Sequence, residues 1–291
     1  MKRVVGECPD LESMAAYLDG RLSDRERARI TEHLAACEDC YFVFSESAQT
    51  RVATEATPKR DARTWREWLA TPKRTWAAVG GALATAACVW LLVAAGDVLP
   101  WRSGRPDLQA LVAAVGTDRP IEARLIGGFA YGPMRGTVRA GAPTPRAVSP
   151  DVRIAVARNE KSLAGVGTPE ALHALGVASL IVGDLDRAIP MIERSVDQPS
   201  PDARFVSDLA AAYLSRAGRD NRSQDLVKAL AAADRAVAVD SALAEALFNR
   251  ALALERLSLV DEARAAWTDY LKVDDQSGWA NEARAHLSAL R

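Results

Sequence analysis

Apolar positions recur along this chain in three different rhythms. In "LESMAAYLDG", Leu11, Met14, Ala15 and Leu18 fall at helical spacing, and Gly20 closes the element as a C-terminal stop. "SDRE" supplies Ser23 as an N-cap with Glu26 three residues later, a capping box that opens a second helix. Within that helix Ala28, Ile30 and Leu34 turn inward, while Arg25, Arg27 and Arg29 turn mostly outward. A third helix is predicted from near Asp39, carrying Tyr41, Phe42 and Phe44. Residues 51–74 are polar and basic, with a short helix around "ARTWREWLA". The second rhythm is an unbroken one: Thr75 to Gly96 runs 22 residues without a charge. At ~1.5 Å per residue this matches the ~30 Å hydrocarbon core of a bilayer and predicts a single transmembrane helix. Residues 97–150 then hold seven of the chain's fourteen prolines and read as a spacer. One short helix at "DLQALVAAVG" and a strand or hairpin at "IEARLIGGFAYG" are its only predicted elements. From Asp151 onward the third rhythm is helical and repetitive.

Composition alters this picture little. A length of 291 residues leaves room for about two domains. The formal net charge of -1 argues against a partner that is nucleic acid. Charge matters more locally. Lys59, Arg60, Arg63, Arg66, Lys73 and Arg74 precede the apolar run, and only Arg102 and Arg105 closely follow it. That asymmetry places the N-terminus in the cytoplasm and the C-terminus outside, with Trp76 and Trp101 at the two interfaces. The basic run is most simply topology and attraction to membrane lipid. The expected localisation is the inner membrane, single-pass.

The topology sorts the four cysteines. Cys8, Cys37 and Cys40 fall on the reducing side, where multi-cysteine patterns bind metal. Cys88 lies within the apolar run as a small packing residue, and 97–291 has none. His33 and Cys37 stand four apart on one helix face, and Cys40 follows one turn later. The two residues between Cys37 and Cys40 let both thiolates grip one tetrahedral ion. Cys8, the other cysteine on this side, supplies a fourth ligand, and the Cys–His–Cys–Cys set suits one structural Zn²⁺. A unit of some 40 residues has too small a core to stand alone, which gives the metal its purpose. All four positions are filled by protein, leaving no open coordination site for a substrate. With no phosphate-binding loop or catalytic constellation in the chain, the sequence reads as a non-enzyme without a small-molecule substrate.

Two resemblances extend these readings. Cys8, "YLDG", the capping-box helix and His33-x₃-Cys37-x₂-Cys40 resemble the zinc-finger domain of bacterial zinc-binding anti-sigma factors over roughly residues 8–45. The resemblance implies an all-helical domain that clasps an extracytoplasmic-function sigma factor and keeps it from RNA polymerase. Tyr41, Phe42 and Phe44 are then the candidate contacts, against the alternative that they fill the small core. Three units beyond Asp151 resemble tetratricopeptide repeats. Leu172, Leu175, Gly176, Gly183, Ala188 and Ile192 mark the first. Val206, Leu209, Ala210, Tyr213, Ala229, Ala233 and Ala236 mark the second, with "GRDNRSQ" lengthening its turn by about seven residues. Leu247, Ala251, Leu254, Ala263, Trp267 and Tyr270 mark the third. Residues 151–165 look like half of a degenerate repeat and "SGWANEARAHLSAL" like a capping helix. Such arrays bind extended peptides along a concave face, onto which the spacing projects His173, Arg204, Ser207, Glu245 and Phe248. Beyond that face His173 and His286 read as ordinary surface or groove residues.

The resulting expectation is an all-α chain of five parts. These are a zinc-stapled domain (1–50), a basic linker (51–74), a transmembrane helix (75–96), a spacer (97–150) and a repeat solenoid (151–291). Its expected role is that of a membrane-anchored anti-sigma factor with a protein or peptide partner at the repeats. The alternative is a membrane-tethered scaffold for a complex such as a protease, without sigma-factor binding. A zinc site that doubles as an oxidant sensor is a third reading, since neighbouring zinc thiolates can oxidise to a disulfide.

Overall fold

The computed structural model of the protein describes residues 8–55, 108–132 and 148–290, and every regular element among them is a helix. Three helices form the N-terminal unit: α1 (Leu11–Leu18), α2 (Asp24–Ala36) and α3 (Glu38–Glu55). Asp10 caps α1 by accepting the Ser13 N–H, and Gly20, at φ +65°, ends it with the Arg21 N–H reaching back to the Ala16 carbonyl. The Ser23–Glu26 box forms in both directions at the start of α2. α3 continues to Glu55, past the boundary expected at residue 50.

The second body begins with α4 (Leu108–Val115), which packs on α5 (Pro150–Ser162) as a degenerate helix pair. Three helical hairpins follow: α6 (Pro169–Ile181) with α7 (Leu185–Ser195), α8 (Ala203–Asp220) with α9 (Gln224–Val239), and α10 (Ala244–Arg256) with α11 (Val260–Val273). α12 (Gly278–Ala289) closes the array against α11. Small residues set the close approach within each hairpin. A Cβ on Gly176 would lie 2.4 Å from Ile192 Cγ1, while Ala210 and Ala251 at the matching places are wholly buried. The last hairpin is filled by aromatics, with Phe248 edge-on to Trp267, Tyr270 and Trp279 at 5.0, 5.4 and 5.2 Å.

"GRDNRSQ" does not make a long turn. α8 absorbs its first residues and stops at Asn221, whose φ of 53° is the left-handed conformation that a short polar side chain tolerates. Gly183 and Ser258 take the same conformation between the helices of the other two hairpins.

The expected spacer is a working part of the fold. Beyond α4, residues 118–132 run as irregular chain with neither strand nor hairpin, and Ala123, Leu125 and Ile126 are buried against the array. The N-terminal unit is also docked on the array. α2 packs along α9, Arg27 approaches Asp234 at 3.8 Å, and Asp234 is held by Arg250 at 2.7 Å. Gly20 faces Glu262 of α11, so the unit reaches across two hairpins.

These contacts correct the membrane reading. Among the described residues no helix is long and apolar enough to cross a membrane. The zinc unit and the repeats, expected on opposite faces of a bilayer, share one continuous apolar core running from Met14, Ile30 and Leu34 to the repeat helices. Fold class and localisation are therefore revised: the described chain is all-helical, with a zinc-capable unit packed directly on a helical-repeat region and no membrane-spanning helix. The stretch 75–96, with Cys88, lies outside the described residues, as do the basic run 56–74 and both interfacial tryptophans.

Candidate metal centre and repeat groove

The metal centre is assembled by the end of one helix and the start of the next. His33 occupies the last turn of α2, Cys37 caps it by giving its backbone N–H to the His33 carbonyl at 2.8 Å, and Cys40 lies in the first turn of α3. Cys8 arrives from the chain just ahead of α1. The four ligand atoms of Cys8, His33, Cys37 and Cys40 all lie within 4.8 Å of one another, and His33 Nε2 is 3.3 Å from Cys40 Sγ. A tetrahedral ion with Zn–S of about 2.3 Å separates its ligands by about 3.7 Å, so this set closes on Zn²⁺ with shifts of about an ångström or less. The four residues are thus positioned to bind one structural zinc.

Thiol electrostatics agree with that arrangement. The backbone N–H of Cys40 points at Cys37 and lowers its thiol, with the Asp39 N–H and the Cys8 and Cys40 thiols adding to the effect. Burial instead pushes Cys40 up to about 12, helped by its hydrogen bonds with Cys8 and Cys37. A divalent ion bound here would favour the thiolate form of its cysteine ligands. Cys8, Cys37 and Cys40 are free thiols. Cys8 and His33 also line a cleft of about 1020 Å³ between the zinc unit and the Tyr213 and Lys228 side of the array.

The aromatics after Cys40 divide by function. Phe44 is buried, edge-on to Tyr17 at 5.6 Å, and Tyr17 in turn shares a 2.9 Å hydrogen bond with buried Thr31. Phe44 therefore closes the small core. Tyr41 is half-buried beside Phe44, with its hydroxyl in reach of Ser223 on the array. Phe42 points away and is 65% exposed, next to Val43 at 45%.

The concave face of the array is already occupied by the protein's own chain. Asn249 of α10 grips the backbone of residue 124 on both sides: its Oδ1 accepts the Arg124 N–H at 2.8 Å and its Nδ2 donates to the Arg124 carbonyl at 2.9 Å. Two residues on, the Ile126 N–H donates to Asp208 Oδ1 at 3.0 Å, and Asp208 Oδ2 is held by His173 Nε2 at 2.9 Å. Burial raises the Asp208 carboxyl, an effect opposed by His173 and the Ile126 N–H. Side chains fix the register. Arg124 donates to Tyr270 at 2.7 Å and pairs with Asp274 at 2.8 Å. Arg119, only 3% exposed, pairs with Glu282 and lies 4.2 Å over the Trp279 ring. Glu122 pairs with Arg256, and Tyr131 meets Trp279 edge-on at 5.4 Å.

The residues projected onto this face fare differently. His173 and Ser207 belong to the clamp, the latter accepting from Asn249 Nδ2 at 3.3 Å. Glu245 stands 4.0 Å from Arg124. Phe248 lies beneath the face, fully buried among aromatics. Arg204 turns away to its own N-cap, Asp202, at 2.6 Å. Asn249, Asp208, Asp274, Trp279 and Glu282 escaped the sequence reading; Asp208 and Asn249 carried a signal, as polar residues on the inner helix of a hairpin, whereas Asp274 follows α11 and Trp279 and Glu282 lie on the capping helix α12. His286 is no loose surface residue either. It stacks on Trp267 at 4.8 Å between Glu255 and Glu282; burial lowers its pKa, but the two carboxylates outweigh that and raise it to about 9.

Residues 8–41 match a family described as "Putative zinc-finger". No curated protein matches the chain. Among solved structures, one titled "Crystal structure of MamA" is similar over 48% of this chain and 86% of its own, at 20% identity and a TM-score of 0.36, and nothing about function follows from a likeness of that size.

Proposed function

We propose that the protein is a non-enzymatic regulator that works by holding other proteins. Its zinc-stapled N-terminal unit sequesters an extracytoplasmic-function sigma factor, and its repeat array engages a second protein partner. The observation that carries the reading is the closed Cys8–His33–Cys37–Cys40 cluster within the segment that matches the zinc-finger family. Four protein ligands favour a structural ion over a catalytic one. The exposed apolar side chains of the same unit, Leu11 at 80%, Phe42 at 65% and Val43 at 45%, supply surface for a helical partner. The test is co-purification of the zinc-loaded full chain with candidate sigma factors, repeated with Phe42→Glu. Capture that needs both zinc and Phe42 supports the proposal, and no capture of any such factor removes it.

The docking of α2 on α9 favours one second reading, a scaffold for a protein complex such as a protease, in which the zinc unit serves only to complete the array. In that case Cys8→Ser weakens assembly of the complex, and no sigma factor is retained under any condition.

A further inference from the structure

The segment in the concave groove is held in a way unlike the rest of the core. Two of its attachments are made to backbone atoms: the Asn249 carboxamide reads the N–H and carbonyl of residue 124, and Asp208 takes the N–H of residue 126. Any extended chain offers those same groups, so the clamp is independent of sequence. Selectivity comes from acidic side chains around it. Asp274 and Glu245 flank Arg124, and Glu282 with the Trp279 face holds Arg119. Its fully buried apolar anchors are Ala123, Leu125 and Ile126, with Ile121, Phe129 and Tyr131 partly buried beside them, whereas the hairpins complete their own cores with Phe248, Trp267 and Tyr270. Polar rim, charged specificity and modest apolar anchors are the make-up of an interface and not of a folded interior. Gly127 and Gly128, at φ +97° and +81°, turn the segment as it leaves the clamp.

We propose that residues 119–131 are a built-in ligand that closes the concave groove, so that a protein partner bearing an extended, arginine-containing segment gains the groove only by displacing them. The two arginines of that partner would stand five residues apart, as Arg119 and Arg124 do, with backbone exposed for Asn249 and Asp208. The inference rests on the array being a partner-binding scaffold and is independent of the sigma-factor half of the reading.

The test uses the full zinc-loaded chain and a fluorescein-labelled peptide of residues 117–132, "TDRPIEARLIGGFAYG", followed by anisotropy. A tethered ligand acts at an effective concentration of order mM. For a free peptide that binds at roughly 10–100 μM, the resident segment lowers apparent affinity about 10- to 100-fold. The Arg119→Ala/Arg124→Ala chain is therefore expected to bind the wild-type peptide that much more tightly than the wild-type chain does. A peptide carrying the same two substitutions should bind neither. The milder variant Glu122→Ala, which removes only the contact with Arg256, should shift affinity in the same direction by a smaller factor. Three results overturn the proposal: equal affinity of wild-type and variant chains, no saturable binding to a variant that keeps its helical circular dichroism, or unfolding of both variants. The last would make the segment an integral part of the core. Sigma-factor capture is read separately, so failure of either half leaves the other measurable.

Discussion

Asn249→Leu isolates the clamp while keeping the branched shape and heavy-atom count of the side chain. Asn249 is fully buried and makes two good hydrogen bonds to the Arg124 backbone, at 2.8 and 2.9 Å, plus two weaker ones to Ser207 at 3.3 Å. The short pair is worth about 1 kcal/mol each, and leaving a part-buried N–H and carbonyl unpaired adds a further penalty, for a total of about 3 kcal/mol. Ser207→Ala, which loses only a long bond, should cost under about 1 kcal/mol. Native-state hydrogen exchange is the suitable assay, because the amides of Arg124 and Ile126 report opening of the segment and the α10 amides report opening of the array. At about 1.4 kcal/mol per decade, protection at residues 124 and 126 should fall about 100-fold in Asn249→Leu. A fall below about threefold would refute the assignment of the carboxamide as the principal hold on this segment. An equal fall at α10 would show that segment and array open as one unit.

Three further outcomes follow from particular contacts. Cys8→Ser removes the ligand that ties the start of α1 to the end of α2, so zinc retained against a chelator should drop at least about tenfold, with loss of protection in α1; unchanged zinc content would exclude Cys8 from the site. His286 has a folded pKa of about 9 against an ordinary 6.5, so its stabilisation is complete below about pH 6.5 and fades as pH rises through about 9. The stability gap between wild type and His286→Gln, from urea unfolding, should accordingly be about 1–2 kcal/mol at about pH 6 after allowance for solvent screening, and vanish near about pH 10; a gap independent of pH would mean that only its stacking on Trp267 matters. Ser258→Gly relieves a left-handed residue that is not glycine and should raise stability by about 0.5–1 kcal/mol, whereas a loss in thermal melting would argue against strain there.

What the sequence disclosed follows the reach of each interaction. The Ser23–Glu26 box, the Gly20 and Gly183 stops, and the His33, Cys37 and Cys40 spacing depend on neighbours within a turn or two, and each was legible. Cys8 was legible because cysteine is scarce in this chain. The groove segment was not, since its partners are distant in sequence: Ile126 meets Asp208 82 residues away and Arg124 meets Asn249 125 away. Proline and glycine marked this stretch as a spacer, but the strand or hairpin expected at residues 121–132 is absent, and the segment instead lies partly buried against the array. The membrane reading failed at a different point. Flanking charge assigns sides only once a span is granted, and nothing local to residues 75–96 could announce that α2 packs on α9. Template projection placed His173 and Ser207 well because they sit on the inner helix face, but put buried Phe248 and outward Arg204 on a surface that neither forms.

The docking of α2 along α9 also sets a threshold for everything the zinc unit meets. Residues 55 and 108 are joined by one chain, so the dock is an intramolecular encounter at an effective concentration of order mM, and even a weak intrinsic affinity keeps it mostly closed. A competitor for the same face, present at about 1 μM, must bind roughly a thousandfold more tightly than α9 does to share it equally. A single cut between residues 55 and 108 would remove that advantage while leaving the residues of α2 and α9 that form the dock unchanged. The zinc unit would then become a separate subunit whose hold on the array depends on dilution.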